Sequence, residues 1–169
     1  RELGARVAKL AGVPGQRVDM VFEGGAIDVD GDGLAIVSRS CLLGPNRNPG
    51  LAQKDATGLL SDALGLSRLL WLDGMLAGDH TDGHIDTLAR FVPGGRVLVA
   101  AANGAEDINV EVMGAVGREV GRWCRSLDPP LEMVELPSPG NVVDDGGEVL
   151  PATYLNFYVS SSAVVVPVF

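Results

Sequence analysis

A fixed order of elements recurs along the chain, and it limits the fold more than any single residue does. Ala26 to Val29 and Leu34 to Ser38 are apolar runs flanking DGDG, Asp30 to Gly33. Asp-Gly steps suit the tight turns of β-hairpins, because both residues tolerate positive φ. Leu51 to Leu64 follows with Leu59, Leu60, Ala63 and Leu64 on one helical face and Gly65 behind it, and Arg68 to Leu72 reads as a strand. The order then starts again. HIDTLARFV, the turn PGG and RVLVAAA make a second hairpin. Asn103 to Leu127 carries a helix striped by Ile108, Val112, Val116, Val120 and Trp123, and Leu131 to Leu136 is the strand after it. TYLNFYV and AVVVPVF open a third round. A period of roughly sixty residues is longer than most solenoid repeats. The expected class is α/β: at its plainest a mixed α/β domain, more specifically a propeller of ββαβ units of which this chain is part of the ring.

Around this frame, RELGARVAKLAG predicts an amphipathic helix ended by Gly12, Val18 to Glu23 a short strand, and Pro137 to Leu150 an acidic, Pro- and Gly-rich lid or mobile loop. Both termini read as interrupted. Arg1 falls inside a helical pattern, and Ala163 to Phe169 is an apolar strand with no turn or cap behind it. The expectation is one partial domain over residues 1–169, cut at both ends.

Charge narrows the partners. A net charge of −9 argues against nucleic acid, which needs a basic surface, and favours a small cationic ligand. No apolar run approaches the ~20 residues that span a bilayer, so no membrane partner is expected. With no export leader, Cys41 and Cys124 read as reduced thiols in the cytoplasm. Assembly into a homo-oligomer is compatible with the sequence.

The densest polar cluster is GDHTDGHID, Gly78 to Asp86, which holds both histidines, His80 and His84. In an extended segment alternate side chains share a face, so His84 and Asp86 project together at a strand start. A carboxylate beside an imidazole sets its tautomer and raises its basicity, as acid–base work requires. A solvated turn accounts for the same letters about as well. A metal site from His80, Asp82 and His84 is the weaker third reading, because Asp82-Gly83 argues for a turn. FEGG, Phe22 to Gly25, places Glu23 at a strand end before two glycines, where a carboxylate could grip a guanidinium through two parallel hydrogen bonds. DVDGDG imitates a calcium loop, but its twelfth position is Arg39 where a Glu is required, so it is read as a turn. Cys41, followed by two leucines, reads as a buried structural thiol, Cys124 as core, and Arg47 as a tie between loops.

Taken together, FEGG, CLLGPNRNP, LLWLDG, GDHTDGHIDTLARFVPGGRVL, and YLNFYV followed by VVVPVF resemble agmatine deiminases and the related bacterial, Porphyromonas-type peptidylarginine deiminases. They stand in the family's order and cover nearly the whole chain. The resemblance implies the pentein fold, a ring of ββαβ units around a central site. It implies a hydrolase that converts agmatine to N-carbamoylputrescine and ammonia in polyamine metabolism, through a cysteine thiolate that attacks the guanidinium carbon. Carried over residue by residue, Glu23 matches the EGG glutamate, His84 the catalytic histidine and Asp86 the aspartate that grips the substrate. His80 stands where many members have an acid and joins the substrate-binding candidates. No metal and no organic cofactor is implied. The family's upstream aspartate has no counterpart here. Nor has its nucleophilic cysteine, which is expected outside this chain. Arg39 replaces a common acid, and Ser161 and Ser162 replace Asn-Gly. Deimination of peptidyl-arginine, or a non-catalytic module, are the alternatives.

Overall fold

The computed structural model describes residues 3–169; Arg1 and Glu2, the start of the expected N-terminal helix, lie outside that range. Helix α1 (Leu3–Ala11) forms and ends at Gly12, whose φ of 67° is the left-handed turn that glycine adopts without strain. Its apolar face is uncovered: Leu3, Val7 and Leu10 are all exposed.

The first unit is a three-stranded sheet. β1 (Ile27–Val29) pairs antiparallel with β2 (Leu34–Ser38), and β2 pairs parallel with β3 (Arg68–Leu72). The DGDG turn joins β1 to β2 as expected. The Asp30 carboxylate accepts from the backbone N–H of Asp32 and Leu34, each at 2.8 Å, and so holds the turn from within. Between β2 and β3 the chain forms the short α2 (Arg39–Leu42) and then α3 (Gln53–Leu64), which ends at Gly65 with φ 69°. The Ser38 hydroxyl caps α2 by accepting from the Cys41 N–H at 3.1 Å.

The second unit repeats the first. β4 (Ala89–Val92) and β5 (Arg96–Ala101) are antiparallel, α4 (Val110–Arg125) crosses over, and β6 (Glu132–Pro137) pairs parallel with β5. β7 (Tyr158–Val159) and β8 (Val164–Val165) form the third, shorter hairpin. The recurring order read from the sequence is therefore present as two ββαβ sheets and a following hairpin, a mixed α/β fold. No helix among the described residues is long and apolar enough to cross a membrane.

Strand alternation divides the core. From β2, Ala35 and Val37 pack with Leu60 and Trp71 under α3, while Ile36 faces the other way. There it joins Leu72, Val97, Val99, Val116 and Val120 in the larger core beneath α4. The first sheet is thus covered on one side by its own helix and on the other by the second unit.

Two expectations give way. Val18 to Glu23 is irregular, because no strand among the described residues lies alongside it; the Asn48 side chain serves Val21 instead, accepting from its N–H and donating to its carbonyl, both at 2.8 Å. Ile108 precedes α4 and is exposed, so the stripe starts at Val112. In the loop from Pro137 to Leu150 the Ser138 hydroxyl donates to the Asp107 carboxylate, and Val143 bridges Val149.

One ion pair joins all three units. Arg90 on β4 donates through Nε to Asp28 on β1 at 2.7 Å and through its other nitrogen to the carbonyls of Leu155 and Phe157, both at 3.2 Å. The Phe91 N–H donates to the second Asp28 oxygen. The guanidinium also lies 4.8 Å from the Phe157 ring centroid, a cation–π contact. Burial pushes the Asp28 carboxyl above its usual range, against the pull of the Phe91 N–H and Arg90. The pair is therefore no large net source of stability, but removing one member strands the other in a dry site. Asp28→Ala should lower the unfolding free energy by about 3 kcal/mol. Urea denaturation checks this, and a loss under about 1 kcal/mol, the range of an exposed pair, would contradict it.

Candidate active site

The site lies where the two sheets meet. Glu23 is the last extended residue before a 3-10 turn at Gly24–Ala26, which feeds β1. Its two carboxylate oxygens have different partners. Oε1 accepts from Arg47 Nε at 2.5 Å, and Oε2 lies 2.8 Å from His84 Nε2. The Arg47 and then the His84 hydrogen bonds hold the Glu23 carboxyl below its usual range. An ionised carboxylate only accepts, so His84 Nε2 carries the proton of that bond. Glu23 and His84, separate candidates in the sequence, are 61 positions apart and meet here. Each oxygen keeps a second acceptor site and the Glu23 side chain is 35% exposed, so orientation of the imidazole is added to the candidate roles of this carboxylate.

His84 is positioned by a turn wound around Asp79. Asp79 Oδ1 accepts from the Thr81 N–H at 2.8 Å and its hydroxyl at 2.6 Å, while Oδ2 accepts from the Gly83 N–H at 2.9 Å. Thr81 Oγ1 in turn accepts from the His84 N–H at 3.1 Å. Gly83 has φ 90° and is buried against the Gly74 carbonyl, where a Cβ would collide. His84 itself is extended and precedes a second 3-10 turn, Ile85–Thr87. The strand alternation invoked for His84 and Asp86 therefore does not operate, because Asp86 sits on a turn. The imidazole lies flat against Gly25; any Cβ there would overlap its Nδ1. This is the physical reason for the second glycine of FEGG.

Asp86 is partly buried, and its Oδ1 has no hydrogen-bond partner. Burial pushes its carboxyl above the usual range, against the pull of His84 and Arg90. Leaving a buried acceptor unsatisfied costs about 1–3 kcal/mol, so this oxygen has an acceptor site that no protein group fills.

Other sequence candidates separate here. His80 is exposed and stands outside the cluster, because the turn around Asp79 directs residues 80 and 84 differently. Asp82, at φ 64°, accepts from Arg47 at 3.0 Å and Asn46 at 3.1 Å. A metal site of His80, Asp82 and His84 therefore does not assemble. Arg47 proves to tie three segments through Glu23 and Asp82, the structural role read for it. Cys41 is buried as expected, yet its Sγ lies 4.0 Å from Glu23 Oε2, beneath the site. Burial, and then the Glu23 charge, push its thiol pKa up. Cys124 is buried in the core and raised by burial. The organising role of Asp79 was not anticipated; its signal is the run of polar residues followed by glycine at the offsets of an Asx turn.

The sequence matches the Porphyromonas-type peptidyl-arginine deiminase family over residues 1–169. The agmatine deiminase of Medicago truncatula is 35% identical over 168 residues, which cover 89% of this chain and 45% of that protein. A C. jejuni agmatine deiminase, captured as a cysteine-to-serine variant with substrate bound, superposes with a TM-score of 0.87 at 30% identity. That alignment covers 99% of this chain and 49% of the other. The chain thus spans about half the length of the curated relatives it matches.

Two outcomes follow from the geometry. Gly25→Ala should displace the imidazole while leaving the sheets intact: the His84 ring resonances in an NMR spectrum should move, with circular dichroism unchanged. A lowered Glu23 pKa means that folding favours its ionised form; that contribution is present above about pH 4.5 and is lost as pH falls through the lowered value. Glu23→Gln should therefore flatten the decline of the urea midpoint below that pH, and an unchanged slope would contradict the assignment.

Proposed function

The chain belongs to the Porphyromonas-type peptidyl-arginine deiminase family, and from that membership we propose that it forms part of a hydrolase cleaving the C–N bond of a guanidinium group, with agmatine as substrate. The observation that carries the reading is the unpartnered, buried Oδ1 of Asp86, two residues on from an imidazole anchored by Glu23. A guanidinium offers N–H donors in a planar fork and a positive charge, which together satisfy the acceptor and offset its burial. The acidic balance of the chain, −9, favours approach of a cation.

In the proposed reaction a cysteine thiolate attacks the guanidinium carbon and ammonia departs as His84 supplies its proton. Water then adds to the thiouronium carbon, giving up a proton to His84, and the thiolate leaves. Agmatine and water become N-carbamoylputrescine and ammonia. Glu23 keeps the imidazole oriented through both half-reactions, and Arg47 keeps Glu23 in place. Cys41 and Cys124 are poor candidates for the nucleophile, since both are buried with raised thiol pKa values, the opposite of an activated cysteine. We assign the nucleophile to a residue outside these 169, and with it the further ββαβ units that would close a ring around the site. Polyamine synthesis in the cytoplasm is the setting that fits agmatine.

Peptidyl-arginine is the second reading, favoured by the family description itself. The two differ in what lies beyond the guanidinium, so rates on agmatine and on an arginine-containing peptide decide between them. In the complete protein His84→Ala should lower kcat at least about 100-fold, the usual contribution of a positioned acid–base group. Ammonia release under saturating substrate measures it, and full activity in that variant would refute the assignment.

A further inference from the structure

Three different donor atoms converge beneath the candidate active site. Cys41 Sγ, a ring nitrogen of His84 and a Glu23 carboxylate oxygen all lie within 4.8 Å of one another. We propose that Glu23, Cys41 and His84 form a binding site for a thiophilic divalent cation of the zinc class, and that its occupancy switches the imidazole off.

The donor chemistry favours such an ion. Zinc takes three protein ligands from thiolate, imidazole and carboxylate and leaves a fourth position for water. The separations of 4.0 Å for Sγ to Oε2 and 2.8 Å for Nε2 to Oε2 are close to those between neighbouring ligands of one small cation, so modest side-chain movement suffices. Nε2 is the ring nitrogen that already faces Glu23, while the ring face over Nδ1 packs on Gly25. Glu23 would exchange its contact with Nε2 for the metal and keep Arg47 on Oε1, a charge-assisted contact of the kind that supports ligating carboxylates.

The charges agree with this. The bare thiolate of Cys41 is disfavoured by burial and by the negative field of Glu23, Asp82 and Asp79, with Arg47 opposing. A dication reverses that field: one thiolate and one carboxylate neutralise it, and the imidazole completes the set. Binding replaces the thiol proton of Cys41 and the Nε2 proton of His84 with the metal. The thiol proton is released to solvent and the imidazole becomes its Nδ1–H tautomer. No electron transfer is involved. The ion is an inhibitor rather than a cofactor, since it ties up the group that the proposed hydrolysis needs for proton transfer. Metal binding does not depend on the deiminase reading; only its effect on turnover does.

The test separates the two. Zn²⁺ titrated into the purified, reduced protein against a chelating indicator should bind in a step that releases about one proton near neutral pH. Co²⁺ in its place should give the near-ultraviolet charge-transfer band of a thiolate ligand. Cys41→Ala, which removes the ligand without burying a hydroxyl, should abolish the band and weaken Zn²⁺ by more than the ~10–100-fold that loss of a supporting group gives. His84→Ala should weaken it as well, and Cys124→Ala should leave it unchanged. A Co²⁺ complex lacking the thiolate band would overturn the proposal in the unmodified protein, whatever the variants do. So would undiminished Zn²⁺ affinity in Cys41→Ala, or loss of the step in a folded Cys124→Ala. These readouts stand even if the protein proves inactive on every guanidine.

Discussion

The site depends on one carboxylate held from two sides. Glu23 belongs to the first unit, His84 to the second, and the 2.8 Å contact between them crosses the seam between the sheets. Arg47 holds the other oxygen from a loop of the first unit and reaches on to Asp82 in the turn before His84. The imidazole is thus fixed by an anion that is itself fixed by a cation, and neither the histidine nor the glutamate is positioned by its own local structure alone. Backbone supports finish the placement: the Asp79 turn fixes the approach of the chain to His84, and Gly25 provides a flat floor for the ring.

A second cross-unit contact sets the angle at which those parts meet. Asp28 and Arg90 couple β1 to β4, and the same guanidinium reaches the carbonyls ahead of β7. The main core, where Ile36 and Leu72 pack against Val97, Val99 and α4, is apolar, and the hydrophobic effect that drives its burial is non-directional. A hydrogen-bonded ion pair has directional geometry. The chain therefore uses apolar burial to bring the two units together and buried charge to fix their register, with the catalytic candidates placed close to the second kind of contact.

Within that frame the two acids take opposite electrostatic roles. Glu23 has its charge satisfied and its pKa lowered by Arg47 and His84. Asp86 has one buried oxygen without a partner and its pKa raised by burial. Carboxylates that their environments push in opposite directions are candidates for different roles in one site. Beneath them Cys41 adds a soft donor to a site otherwise made of hard ones, which is why this region can be read as a cation site in two senses, organic and metallic.

The sequence by itself determined the order of elements, the DGDG and PGG turns, the helices ended by Gly12 and Gly65, and the residues that carry the family likeness. These are local properties: turn chemistry and periodicity are written in residues a few positions apart, and motif letters need no geometry to be recognised. Tertiary structure alone decided the rest. Val18 to Glu23 has strand-like letters but no strand among the described residues lies beside it. His80 and His84 look equivalent in the motif, yet the turn around Asp79 leaves one in solvent and brings the other to Glu23. Glu23 read as a lone carboxylate at a strand end, and its contacts with Arg47 and His84 came only with the fold. Each of these outcomes depends on a partner tens of residues away, and which partner arrives is set by how two sheets pack, a relation that no window of the sequence contains.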